Sequence, residues 1–111
     1  MMTSESCPDA TRTRRRVPGR PPPLSAEEAA QLFRLLGEPA RLRLLLALRD
    51  RGEARAGDLT AGAGMSRQAT EYHLKLLRQC GVVGYRRAGG KVFYRITSPP
   101  ALELLRAVGE G

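Results

Sequence analysis

Arg67, Gln68, Glu71, Tyr72 and Lys75 recur at spacings that place them on one face of a helix. Each carries groups that hydrogen-bond the exposed edges of nucleic-acid bases or the phosphates between them. An arginine fork matches guanine, a glutamine amide matches adenine, and a glutamate accepts from cytosine N4. The first turns of such a helix are the part that meets bases, which favours Arg67, Gln68 and Glu71. Lys75, and the helix N–H groups behind Ser66, suit phosphate oxygens. Further along, Arg86, Arg87 and Lys91 gather around a Gly-Gly pair, a basic cluster fit for phosphate contact or for a minor groove. Taken singly, each set is also compatible with plain solvated surface, since hairpin tips are often charged for solubility alone. Their order along the chain is what argues for a nucleic-acid reader.

Ser66 is placed to cap a helix over Arg67–Gln79 that stops at Gly81 and turns Thr70, Leu74 and Leu77 toward the domain. Strands follow near Val82–Arg87 and Lys91–Ile96, reversed through Ala88, Gly89 and Gly90. On the second strand Val92, Tyr94 and Ile96 alternate with Phe93 and Arg95, so one face packs down. Upstream, Gly57 to Ala63 forms a short helix anchored by Leu59, and Gly62 and Gly64 give a tight turn before Ser66. A first helix opens on a Ser25/Glu28 capping box, carries Ala29, Leu32, Phe33 and Leu36 as its apolar stripe, and ends at Gly37. Pro39 starts a second helix whose Leu42, Leu45, Leu46 and Leu48 face a core while Arg41, Arg43, Arg49 and Arg51 stay more exposed. The fold class expected is mainly α with a small antiparallel β-hairpin (α+β): a winged helix-turn-helix.

The chain has 111 residues, room for one modest core. Residues 1–23 read as a disordered basic tail, with Arg12, Arg14, Arg15, Arg16 and Arg20 among Pro8, Pro18, Pro21, Pro22 and Pro23. Such a tail is either a solvated leader or an arm that touches phosphate or the minor groove. The folded domain is expected over residues 24–108, with a short C-terminal tail over 109–111. A formal net charge of +8 calls for an anionic partner, nucleic acid or an anionic membrane surface. No apolar run approaches the roughly 18 residues that span a bilayer, so no membrane role is expected. The first residues carry arginine but no apolar segment of a secretory signal. Cys7 and Cys80 are too few for a disulfide framework and fit a reducing cytoplasm. The chain is read as no enzyme and as needing no cofactor: His73, its one histidine, has no evident nucleophile and acid around it, and no phosphate loop is present.

Three segments in order resemble the ArsR/SmtB family of bacterial repressors. Leu35–Leu45, L-L-G-E-P-A-R-L-R-L-L, is similar to the family's L-x-x-P-x-R-L-x-I-L. Ser66–Leu77, S-R-Q-A-T-E-Y-H-L-K-L-L, is similar to its recognition helix, with Glu71 where the family often has Ser. Arg86–Ile96, R-R-A-G-G-K-V-F-Y-R-I, is similar to its wing, with Lys91 replacing an Arg and Phe93 a Tyr. The resemblance implies a dimeric, sequence-specific DNA-binding transcriptional regulator, a repressor, that presents two recognition helices and two wings to a palindromic double-stranded operator. It also implies a homodimer built by the first and last helices, with Leu32, Phe33, Leu102 and Leu105 at the interface. The last helix is read over Ala101–Val108, where Leu102, Leu104, Leu105 and Val108 serve either the dimer or the core. His73 falls on the family's histidine and is read as an orienting or phosphate-facing group beside the other contacts.

The departures bear on the signal. Where many family members bind metal through E-L-C-V-C-D-L, Glu53–Leu59 reads E-A-R-A-G-D-L, with Arg55 and Gly57 at the cysteine positions. On the last helix Glu103 and Glu110 are the only acidic residues and no histidine stands there. No metal is expected at either place, and no residue set names an inducer. Cys80 is most simply a small buried side chain, and a thiol switch with Cys7 is the alternative. Two other readings stay open: a sequence-tolerant, nucleoid-type DNA-binding protein, and a winged helix that binds protein.

Overall fold

The computed structural model describes residues 23–108. Apart from Pro23, the tail expected over 1–23 lies outside the described residues, as does 109–111. The elements run α1 (Ala26–Leu36), α2 (Pro39–Arg51), α3 (Ala56–Ala63), α4 (Arg67–Gln79), β1 (Val83–Ala88), β2 (Lys91–Ile96) and α5 (Pro99–Arg106).

Helix α1 starts as expected. The Glu28 N–H donates to Ser25 Oγ at 3.1 Å and the Ser25 N–H donates to Glu28 Oε1 at 2.8 Å, so two otherwise orphaned donors are satisfied reciprocally. Helix α2 takes Pro39 at its first position, where a missing N–H costs nothing. Its buried residues are Leu44, Leu45 and Leu48, while Leu42 and Leu46 are only partly covered. A single stripe at Leu42, Leu45, Leu46 and Leu48 is therefore corrected. The helix is packed from several sides, by α1, α3, β2 and α5, and one amphipathic stripe does not describe a central helix.

Helix α3 is made of small residues that allow close approach. A β-carbon at Gly62 would sit 3.3 Å from the Ala47 side chain of α2. The helix begins at Ala56, one residue earlier than expected, because Asp58 accepts the Arg55 N–H at 3.3 Å and closes its first turn. Gly64, at φ +68°, ends it in the left-handed region that glycine enters without strain. Two residues later the hydroxyl of Ser66 accepts the Ala69 N–H at 3.0 Å and α4 starts.

Where α3 and α4 cross, Thr70 is the one buried polar side chain among the described residues. Its hydroxyl lies 3.0 Å from the Thr60 hydroxyl and 2.8 Å from the Ser66 carbonyl, and Thr60 Oγ1 lies 3.0 Å from the Ala56 carbonyl. Two hydroxyl protons thus share three contacts, and each hydroxyl always has an acceptor.

The strands form one antiparallel pair, from Val83 opposite Ile96 to Ala88 opposite Lys91. The reversal is the two residues Gly89 and Gly90, at φ +59° and +77°, the pair of positive angles a tight hairpin turn demands. Ala88 consequently belongs to β1 and not to the turn, and the strand starts at Val83. A further bridge joins Ala54 to Tyr94 through two backbone bonds of 3.0 and 2.7 Å, tying β2 to the α2–α3 connector.

Helix α5 starts at Pro99 and not at Ala101. Ser98 caps it by accepting the Ala101 N–H at 3.2 Å, and the two prolines fill positions that need no donor. Leu105 is fully buried and Leu32 nearly so. Their placement at a dimer face is therefore corrected: the protomer's own core already covers them. Phe33 (58% exposed) and Leu102 (39%) remain outside. Among the described residues no helix is long and apolar enough to cross a membrane.

Replacing Thr70 by valine keeps the volume and removes the hydroxyl, while Thr60 retains the Ala56 carbonyl. The expected cost is about 1 kcal/mol, read as a lower urea midpoint at unchanged slope. An unchanged midpoint would show that this contact does not hold the crossing.

Candidate nucleic-acid interface

Helix α4 buries Thr70, Leu74 and Leu77 and leaves Arg67, Gln68, Glu71, Tyr72 and Lys75 exposed. The burial follows from the spacing: inward residues at i, i+4 and i+7 pin one side, and the other side turns to solvent. Ser66 Oγ is committed to the Ala69 N–H, so the N–H groups of Arg67 and Gln68 stand at the helix start with no intrahelical acceptor. Arg67 Nε donates to Glu71 Oε2 at 2.8 Å. That bond engages Nε and leaves the two terminal nitrogens, of which Nη1 lies over Gly57, as further donors.

Between α4 and the hairpin runs a cleft of about 410 Å³ lined by Arg55, Gly57, Arg67, Glu71, Lys91 and Tyr94. Three cations and one anion face it. Arg67 lies so close over α3 that a β-carbon at Gly57 would be 3.7 Å from its Nη1. The adjoining surface carries Gln68, Tyr72, Lys75, Arg78 and again Tyr94. Two basic residues here escaped the sequence reading. Arg78 follows Glu71 and Lys75 at the same helical spacing, a signal that was available. Arg55 reaches the cleft only because α3 begins at Ala56, which composition alone does not reveal.

The three wing cations do not form one cluster. Arg86 and Arg87 are consecutive in β1, and the pleat sends consecutive side chains to opposite faces. Arg87 shares its face with Tyr85, whose ring lies 5.7 Å from the Arg87 guanidinium carbon and 5.0 Å from that of Arg78. Arg86 lies on the far face, over the ring of Phe93 at 4.8 Å. There it makes a two-point bond to Glu53, with Nε to Oε2 at 2.7 Å and Nη2 to Oε1 at 2.9 Å. The hydrogen bond to Arg86 holds the Glu53 carboxyl below its ordinary value against a smaller opposing effect of burial, with help from the charges of Arg86 and Arg95. The same bond raises the Arg86 guanidinium.

His73 sits apart from the exposed contacts. Its Nδ1 is 3.3 Å from Arg41 Nη1, and Arg41 also donates from Nε to the Leu35 carbonyl at 2.9 Å. Its ring meets Tyr72 edge-on at 5.3 Å. Facing a guanidinium, Nδ1 must accept, which selects the neutral ring protonated at Nε2. Burial, then the Arg41 charge, push the histidine below its ordinary value, with Glu38 opposing. His73 thus joins α4 to the α1–α2 corner, an orienting place. Cys80, expected to be buried, is half-buried at the C-terminal cap of α4, with the Gln31 side-chain nitrogen 3.9 Å from its sulfur. Cys7 lies outside the described residues. Arg55 and Gly57 occupy the first residues around the start of α3, as the sequence places them.

A family model described as "Bacterial regulatory protein, arsR family" matches residues 38–85. The chain is 36% identical over 85 residues to a protein named transcriptional repressor SmtB homolog from Synechocystis, covering 77% of this chain and 64% of that one. It therefore spans just under two thirds of that relative's length. Among solved structures, the transcriptional repressor BigR from Xylella fastidiosa superposes with a TM-score of 0.69 at 35% identity, covering 75% of this chain and 84% of the other. A DNA-binding transcriptional regulator from E. coli, itself described as predicted, gives a TM-score of 0.71 at 30% identity, covering 75% and 87%.

The His73 geometry sets a pH dependence. A folded value below the ordinary one of about 6.5 means that the unfolded chain takes up its proton first. The stabilising contribution of the neutral ring is then complete above the ordinary value and is lost as pH falls through it toward the folded one. An NMR titration of the His73 ring should find its midpoint below that of a denatured control. A midpoint at or above the control would overturn the Arg41 contact.

Proposed function

The chain belongs to the arsR family of bacterial regulatory proteins, which are DNA-binding transcription regulators, and we propose that it works as a homodimeric repressor that reads a palindromic operator. The observation that carries the reading is the exposed face of α4, with Arg67, Gln68 and Glu71 at its start and a basic hairpin beside it. In this reading Arg67, Gln68 and Glu71 contact base edges in a major groove. Ser66 with its free helix N–H groups, Tyr72 and Lys75 hold phosphates on either side. Arg87 and Lys91 hold the backbone from the wing, and Arg78 and Arg55 extend the basic rim. His73 acts from behind, keeping α4 on the α1–α2 corner.

Two-fold symmetry follows from the operator form: two recognition helices about one helical turn apart need two protomers. Phe33 on α1 and Leu102 on α5 are large apolar side chains left exposed, and they are the contacts proposed for the second copy. Exposed groups of this kind are the usual anchors of a subunit contact.

Selection from a random duplex library, followed by anisotropy titration of the selected and an unrelated duplex, tests the reading. The selected duplex should bind about 10³-fold tighter or more, and equal affinities would favour a sequence-tolerant binder. Arg67→Ala and Gln68→Ala should each cost about 1–3 kcal/mol on the selected sequence and little on the unrelated one. Lys91→Ala should weaken both alike and flatten the dependence of log K on log salt by about one unit. For the dimer, Phe33→Glu or Leu102→Glu should shift sedimentation from dimer to monomer. A wild-type chain that sediments as a monomer in the presence of operator would sink that part.

A further inference from the structure

We propose that Arg86 and Glu53 form a positioning brace that fixes the angle of the wing on the domain, so that Arg86 serves DNA binding through the wing's placement and not as a phosphate ligand. The inference rests on the DNA-binding reading above.

The hairpin is joined to the body by few points. Its base enters the core through Val83, Ile96 and Tyr94. Among the described residues its one backbone bridge to another segment is Ala54–Tyr94. Two hydrogen bonds at a single residue pair hold a strand in place but do not by themselves fix its angle, and the Arg78 guanidinium over the Tyr85 ring supports only the α4 side of the hairpin. Glu53, next to the bridge, reaches past β2 to Arg86 on β1 and supplies a second attachment away from that pair. The contact has the form that resists rotation: two parallel charge-assisted bonds within 0.2 Å of each other in length. Phe93, directly opposite Arg86 in the register, supports the guanidinium plane from beneath. The brace lies two residues from Ala88 at the hairpin tip. Any pivot is therefore carried to Lys91 and to Arg87, which the pleat directs to the opposite face.

The alternative makes Arg86 a phosphate contact and Glu53 an incidental neighbour. The two differ in sign. If Arg86 neutralises a phosphate, removing Glu53 releases it and takes a negative charge from beside the DNA, so binding tightens. If the pair is a brace, removing either member loosens the wing and weakens binding. They differ as well for lysine, which keeps the charge of Arg86 but not its fork.

The test uses the full-length chain and a duplex that it selects from a random library. Glu53→Gln, Arg86→Gln and Arg86→Lys should each weaken binding about two- to fivefold, the range an exposed ion pair allows. The salt slope should be unchanged, and the double variant Glu53→Gln/Arg86→Gln should be no weaker than either single one. Tighter binding by Glu53→Gln, wild-type affinity in Arg86→Lys, or a slope flattened by about one unit in Arg86→Gln would each overturn the brace. A readout without DNA separates the two proposals: hydrogen exchange at the Ala54 and Tyr94 amides, which close the bridge, should quicken in Arg86→Gln. If the wild-type chain selects no sequence, DNA reading fails and exchange alone judges the brace. If exchange is unmoved, the brace fails whatever the DNA result.

Discussion

The crossing of α3 and α4 is the constraint on which the rest depends, because a groove-reading helix is useful only at a fixed angle to its own domain. Thr60 and Thr70 set that angle. Polar side chains at a buried crossing must find partners or cost free energy, and here the two hydroxyls find each other and the carbonyls of Ala56 and Ser66. A leucine pair at the same place would tolerate sliding, since apolar contact has no direction. A hydroxyl pair does not. Small residues let α3 pack closely: Gly62 lies against Ala47 of α2, and Ala56 and Ala63 are buried without bulk. Leu59 and Leu74 then fill the space the hydroxyls define.

From that crossing the interface is built outward by two tethers. Arg41 spans from the Leu35 carbonyl to His73, so the middle of α4 is fixed to the corner between α1 and α2. The Ala54–Tyr94 bridge and the Glu53–Arg86 pair do the same for the hairpin, from the other end of α2. Both tethers start at α2, whose leucines Leu44, Leu45 and Leu48 are wholly buried. The helix whose leucines fill the core is the one from which the exposed parts are positioned.

Much of this was legible in the chain. Ser25 with Glu28, Ser66, Gly64 and the Gly89–Gly90 pair are local signals with local causes, and the elements they predict are present nearly to the residue. What escaped were facts settled by neighbours in space. Leu32 and Leu105 look like any exposed apolar stripe until α2 covers them. Phe33, one residue from Leu32, stays out because consecutive residues of a helix point about 100° apart. The wing arginines look like one basic cluster when read as a string, whereas the pleat separates Arg86 from Arg87, and only the fold brings Glu53 within 2.7 Å of the former. Arg55 was read solely as the loss of a ligand position. Its place on the cleft beside Arg67 and Lys91 depends on where α3 begins.

The pairing of arginines with acids bears on specificity. A net charge of +8 attracts any duplex through its phosphates, and in the proposed function that attraction competes with the operator across a whole genome. Free cations strengthen both kinds of complex equally. Arginines held by acids act differently. Arg67 is fastened through Nε by Glu71, so its contribution to a passing phosphate is partly cancelled, while its terminal nitrogens keep the geometry that guanine accepts. Fixing the side chain beforehand also lowers the entropy lost when the base is met. In the proposed brace Glu53 has the corresponding effect at the wing, holding the Arg86 guanidinium and through it aiming Arg87 and Lys91. An acid placed on a basic face lowers affinity for DNA in general, and discrimination between sequences gains only where the side chain it holds still meets its base in full.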